Sequence, residues 1–101
     1  MGIQRGSTPT HQITTDISLV DTEVIFVTYD QLEKTVIEKT KSDIVVEDEY
    51  IEIELSQNET LKFNDKYDVE IQIRARFADG RAPVSNIMTT TVERLLKGGV
   101  I

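Results

Sequence analysis

The chain has 101 residues, 39% of them hydrophobic, with 11 basic against 18 acidic side chains, a formal net charge of −7 and no cysteine. That length supports one hydrophobic core, because two would each be too small for burial to outweigh chain entropy. The charge repels phosphate backbones and anionic bilayers, so neither nucleic acid nor membrane is an expected partner, and the missing thiols exclude disulfides, thiolate metal sites and cysteine nucleophiles.

Residues 1–10 contain Gly2, Gly6, Ser7, Thr8, Pro9 and Thr10 but no apolar period, and they read as a flexible N-terminal arm outside the core. No secretion or lipidation signal is legible in Met1-Gly2-Ile3-Gln4-Arg5-Gly6, which makes synthesis in the cytoplasm of a soluble protein the expectation. A β-sandwich domain is expected over 11–97 and a short tail over 98–101. Within it, short β-prone runs alternate with turn residues at intervals of roughly 8 to 12, the spacing of an antiparallel sandwich.

The first such run lies near Ile13 to Leu19. Val24-Ile25-Phe26-Val27 is continuously apolar, which predicts a strand covered on both sides, either central in a sheet or shielded by another subunit. Val36 to Lys39 follows the polar stretch Asp30 to Glu33 as the return arm of a hairpin. Ile44-Val45-Val46 and Tyr50 to Leu55 form a second hairpin, with Ile51, Ile53 and Leu55 on one face and Glu52 and Glu54 on the other. Ser56-Gln57-Asn58-Glu59 has the spacing of a capping box and predicts one helical turn, pinned to the core by Leu61 and Phe63.

The clearest strand is Tyr67 to Phe77. Tyr67, Val69, Ile71, Ile73, Ala75 and Phe77 alternate with Asp68, Glu70, Gln72, Arg74 and Arg76, so a register slip of one residue would bury charge. Asp79-Gly80 then predicts a reversal, because both residues tolerate positive φ, and Pro83 to Val92 is the expected partner strand. Val92 to Lys97 either continues that strand or forms a helical turn before Gly98-Gly99. The total is an all-β, antiparallel β-sandwich of about seven strands with one short helical turn.

Residues that carry chemistry are scarce. His11, the only histidine, is expected to be exposed at the edge of the arm, where no base or metal ligand is held in fixed geometry. Glu52 and Glu54 share one strand face, but acid/base work needs a concave, partly apolar site to separate two pKa values, and a solvated strand face is the expectation. Asp43, Glu47, Asp48 and Glu49 form the densest acidic segment without the spacing that converges oxygens on calcium. The chain is therefore expected to be no enzyme, with no catalytic residue, metal site or cofactor. The candidate interaction residues are the turn Asp79, Gly80 and Arg81, suited to a polar ligand such as a glycan, and Val24 and Phe26 of the doubly apolar strand, suited to a neighbouring subunit.

Arg5-Gly6-Ser7-Thr8-Pro9-Thr10, Leu55-Ser56-Gln57-Asn58-Glu59-Thr60 and Val69-Glu70-Ile71-Gln72-Ile73-Arg74-Ala75 with Ser85-Asn86-Ile87 resemble a group of small proteins. These are encoded in prophages of Gram-positive bacteria among tail and baseplate genes, and the resemblance spans about Arg5 to Val92. It implies an immunoglobulin-like fold and a structural role in a bacteriophage particle, first in the bacterial cytoplasm and then in the virion. Its implied partners are other phage structural proteins, including further copies of the chain. The alternative is a module that binds a host cell-wall polysaccharide or receptor.

Overall fold

A computed structural model describes residues 2–101 and shows an all-β sandwich. In chain order the strands are β1 (Gly2–Gln4), β2 (Thr10–Thr14), β3 (Thr22–Gln31), β4 (Lys34–Thr40), β5 (Val45–Val46), β6 (Tyr50–Glu54), β7 (Val69–Phe77) and β8 (Met88–Glu93). A single helical turn, α1 (Gln57–Thr60), joins β6 to β7, and a 3-10 turn at Lys41–Asp43 joins β4 to β5. One sheet has the order β1-β8-β7-β3-β4 and the other β2-β6-β5.

This is the immunoglobulin-like arrangement, in which the second, fifth and sixth strands face a sheet built on the third, seventh and eighth. All pairings are antiparallel except β1 with β8, which run parallel with Ile3 opposite Val92. Eight strands form among the described residues where about seven were expected, and the additional one comes from the segment read as a flexible arm. Ile3 is 1% exposed within the core, so the arm is an ordered part of the sandwich; Met1, its first residue, lies outside the described residues. Three residues are too few to show a period, yet one isoleucine is enough to anchor them once β8 offers an edge.

Alternation drives the larger sheet. Val69, Ile71, Ile73 and Ala75 of β7 are buried while Glu70, Arg74 and Arg76 face solvent. Tyr67, expected on that inward face, is exposed, because it lies in the turn before the strand, where its N–H donates to the Asn64 carbonyl (3.4 Å) and its carbonyl accepts from the Gln31 side chain (3.0 Å). In β3 the continuous apolar run resolves into two faces. Ile25, Val27 and Tyr29 point into the core, whereas Val24 is half-buried and Phe26 is 38% exposed on the outer face. β3 is indeed central in its sheet, hydrogen-bonded to β4 and β7, but no second sheet among the described residues lies on its outer side.

In the smaller sheet Ile51, Ile53 and Leu55 meet the larger sheet, and the first run proves to be Thr10–Thr14, earlier than expected. The capping box forms as the sequence predicts: the Ser56 hydroxyl accepts from the Glu59 N–H (3.2 Å) and the Glu59 carboxylate from the Ser56 N–H (2.9 Å). Phe63, fully buried, and half-buried Leu61 follow it. The segment after the Asp79-Gly80 turn pairs less regularly than expected. Residues 82–87 stay beside β7 through the Ala75 N–H to Pro83 carbonyl and Ser85 N–H to Ile73 carbonyl bonds, and ladder pairing resumes only at Met88.

Candidate functional site

β1 decides where the sandwich is open. In the four-stranded sheet typical of this topology the first strand flanks the second. Here β1 lies on β8 instead, and the chain crosses to the smaller sheet through residues 5–9. The crossing is held by buried Thr60, whose hydroxyl accepts from the Gly6 N–H (3.0 Å) and donates to the Ser7 carbonyl (2.9 Å). Gly6 has φ of +80°, which favours glycine, and a Cβ there would lie 2.9 Å from Leu95 Cδ2, so the leucine side chain would have to shift for any other residue. This closes one end of the flank between the sheets. At the other end nothing pairs with the outer edge of β2 among the described residues, and a groove of about 430 Å³ opens between β2, the β2–β3 loop and residues 83–88.

The groove wall is largely apolar, with Ile13, Ile17 and Leu19 on one side and Ile73, Val84 and Met88 on the other. Ile17 and Val84 are exposed at its rim, beside Asp16. An unpaired strand edge beside an apolar slot is the physical form of a strand-addition site, because an incoming extended segment gains main-chain hydrogen bonds and buries alternate side chains together.

The candidate residues taken from the sequence lie apart from this groove's lining. Gly80 adopts φ of +92° and its N–H donates to the Phe77 carbonyl (3.0 Å), so the reversal occurs where expected. Arg81 is committed within its own turn: Nε donates to Asp79 Oδ2 at 2.8 Å and the guanidinium sits 4.4 Å from the centre of the Phe77 ring. The Arg81 N–H bond holds the Asp79 carboxyl below its ordinary range, with the guanidinium reinforcing it. Val24 and Phe26 share a shallow depression of about 200 Å³ on the outer sheet face with Arg74, Arg76 and Ala82. Asp79–Arg81 and Val24–Phe26 belong to the same end of the sandwich, since Thr22 pairs with Phe77 and Val24 with Arg76.

No family model, curated protein or solved structure matches this chain.

His11 departs from its expected place. It is a half-buried residue of β2, its Nδ1 is 2.7 Å from Tyr29 Oη, and the two rings stack at 5.8 Å. The order of β1 and the pairing of β2 with β6 carry His11 across the core from β3, which sequence distance alone conceals. Burial lowers the His11 pKa from its usual 6.5 and raises that of Tyr29, with the Glu59 carboxylate adding to the latter. The pair bridges the two sheets with neutral groups. Glu52 is half-buried and Glu54 exposed on one face of β6, opposite Gln12 and Thr10. In the acidic segment, Asp43 accepts from the Thr40 N–H (2.9 Å) and Asp48 from the Ser18 hydroxyl (3.4 Å). Among the described residues no group of three metal-ligating side chains converges, and no helix is long and apolar enough to cross a membrane.

Proposed function

We propose that this chain is a non-catalytic interaction module of a bacteriophage or prophage particle, a component of its tail or baseplate. The observation that carries the interaction role is the open flank of the sandwich, where the unpaired β2 edge adjoins a groove lined by Ile13, Ile17, Val84 and Met88. Exposed Phe26 and half-buried Val24 add a second apolar surface on the outer sheet face. The resemblance of Arg5–Thr10, Leu55–Thr60 and Val69–Ala75 to small prophage tail and baseplate proteins supplies the particle. A rigid sandwich with unpaired edges suits repeated contacts in a symmetric assembly, where each copy presents the same edge to the next.

The test is mass spectrometry and labelled-antibody electron microscopy on particles purified from an induced lysogen that encodes the chain. Fixed stoichiometry with the tail proteins and label on tail or baseplate is the expected result; absence from gradient-purified particles would sink the reading. Binding to host cell walls that persists at high salt and disappears in Arg81→Ala would instead favour a glycan-binding module. The Arg81 geometry weighs against that outcome, because its guanidinium already has a carboxylate and an aromatic face as partners.

A further inference from the structure

We infer that the open flank beside β2 receives residues 95–101 of a second copy of this chain, joining copies head to tail. The inference rests on the interaction-module reading and names the partner. The groove supplies the two things an added strand needs. β2 is bonded to β6 along one edge and, among the described residues, leaves the other edge unpaired, where the main-chain groups of Thr10, Gln12 and Thr14 point outward over a strand of five residues, about 17 Å at 3.4 Å per residue. Behind it stand the side chains of Ile13, Ile73 and Met88, with Ile17 48% and Val84 54% exposed at the rim.

The occupant is indicated at the opposite end of the same molecule. After β8 the chain carries Leu95-Leu96-Lys97-Gly98-Gly99-Val100-Ile101, in which Leu96 is 87%, Val100 56% and Ile101 91% exposed. These are large apolar side chains with little to pack against in their own copy. Within its own copy half-buried Leu95 packs beside Gly6, and beyond it the segment is held by the side-chain amide of Gln57, which donates to the Ile101 carbonyl (3.2 Å) and accepts from its N–H (2.9 Å). Seven residues extend to about 24 Å, enough to lie along the full length of β2. In extended form Leu96, Gly98 and Val100 share one face, placing two apolar side chains toward a groove while a glycine allows close approach between them.

Charge selects the same pairing. The groove end gathers Asp16, Asp21, Glu47, Asp48 and Glu49, none of them in an ion pair among the described residues. Of the basic groups nearby, Arg76 pairs with Glu23, Arg81 with Asp79, and Lys41 Nζ with the Val20 and Thr22 carbonyls, while Arg74 is exposed on the outer sheet face, away from the groove. The docking segment with its preceding residue carries Arg94 and Lys97 and no acidic side chain. The two ends of a molecule 48 Å in its longest extent thus match in exposed apolar surface and in the sign of their side-chain charge. A contact of this kind is heterologous, so it builds a ring or a filament rather than a closed pair.

Light scattering over a concentration series tests this with the full chain, a chain lacking residues 95–101, and a groove variant carrying Ile17→Asp and Val84→Asp. The full chain is expected to grow in mass with concentration and to dissociate as salt is raised, while each variant stays monomeric with a folded circular dichroism spectrum. An equimolar mixture of the two variants retains one intact groove and one intact segment, and is expected to form pairs and nothing larger. The point variants Leu96→Ser and Val100→Ser, at exposed positions on the face that meets the groove, are expected to weaken association at least tenfold. A full chain that stays monomeric at millimolar concentration, a truncated chain that still associates, or a mixture without pairs would each overturn the inference. A chain found in particles as isolated monomers would overturn it too, while leaving the module reading intact.

Discussion

The His11–Tyr29 pair offers the sharpest test of how the two sheets are held. Tyr29 is fully buried, so its hydroxyl has no access to water if His11 is removed, whereas His11 is only half-buried and its ring nitrogen can be rehydrated if the hydroxyl is removed. Leaving a buried hydroxyl unpaired costs about 1–3 kcal/mol, and losing a hydrogen bond whose remaining partner reaches water costs about 0.5–1.5 kcal/mol. His11→Leu is therefore expected to destabilise more than Tyr29→Phe. The double variant should cost at least about 0.5 kcal/mol less than the two single costs together, because the unpaired hydroxyl is then gone. Urea denaturation followed by circular dichroism measures all four corners of the cycle, and about 1 kcal/mol corresponds to a melting shift of roughly 4–8 °C for a domain of this size. Additive costs, or a larger loss in Tyr29→Phe than in His11→Leu, would refute the assignment of the pair as a bridge whose buried member is the tyrosine.

The same histidine gives a pH dependence. Because burial depresses its pKa below 6.5, the unfolded chain takes up a proton first as pH falls; stability present above pH 6.5 should decline from there toward the folded-state pKa, and His11→Leu should flatten the decline between pH 7 and 5.5. At lower pH, Glu59 contributes: desolvation opposes its ionisation, but hydrogen bonds from Lys39 and the Ser56 N–H outweigh it, so stability is lost on acidification below pH 4.5 and less is lost in Glu59→Gln. Ile3→Ala should cost about 2–5 kcal/mol by urea titration as a core truncation, whereas a loss under about 0.5 kcal/mol would mean that the first strand is not part of the core. Leu32 and Glu33 turn the β3–β4 hairpin at φ of 52° and 62°, where most side chains are strained; Leu32→Asn with Glu33→Gly should raise stability by about 1–2 kcal/mol, checked by the denaturation midpoint. Gly6→Ala should destabilise by at least about 1 kcal/mol through its positive φ and its contact with Leu95, and a neutral result would contradict the observed crossing.

Where burial on one face sets the pattern, the sequence was sufficient. The alternation of β7, the Ile51-Ile53-Leu55 face of β6, the capping box at Ser56 and the reversal at Gly80 were all legible, because each depends on residues within a few positions of one another. An all-β sandwich follows from those local rules. The features that matter for recognition depend instead on pairing across the chain. Ile3 becomes core only because β8, some ninety residues later, presents an edge to it, and His11 becomes a buried bridge only because β2 lies across from β3. Val24 and Phe26 were legible as apolar but not as outward-facing, since continuous hydrophobicity does not say which side a sheet turns to its partner. The open groove has no local signature at all: it exists because the first strand joins one sheet and leaves the flank of the other bare, and strand order is decided by tertiary contacts that no short window of sequence contains.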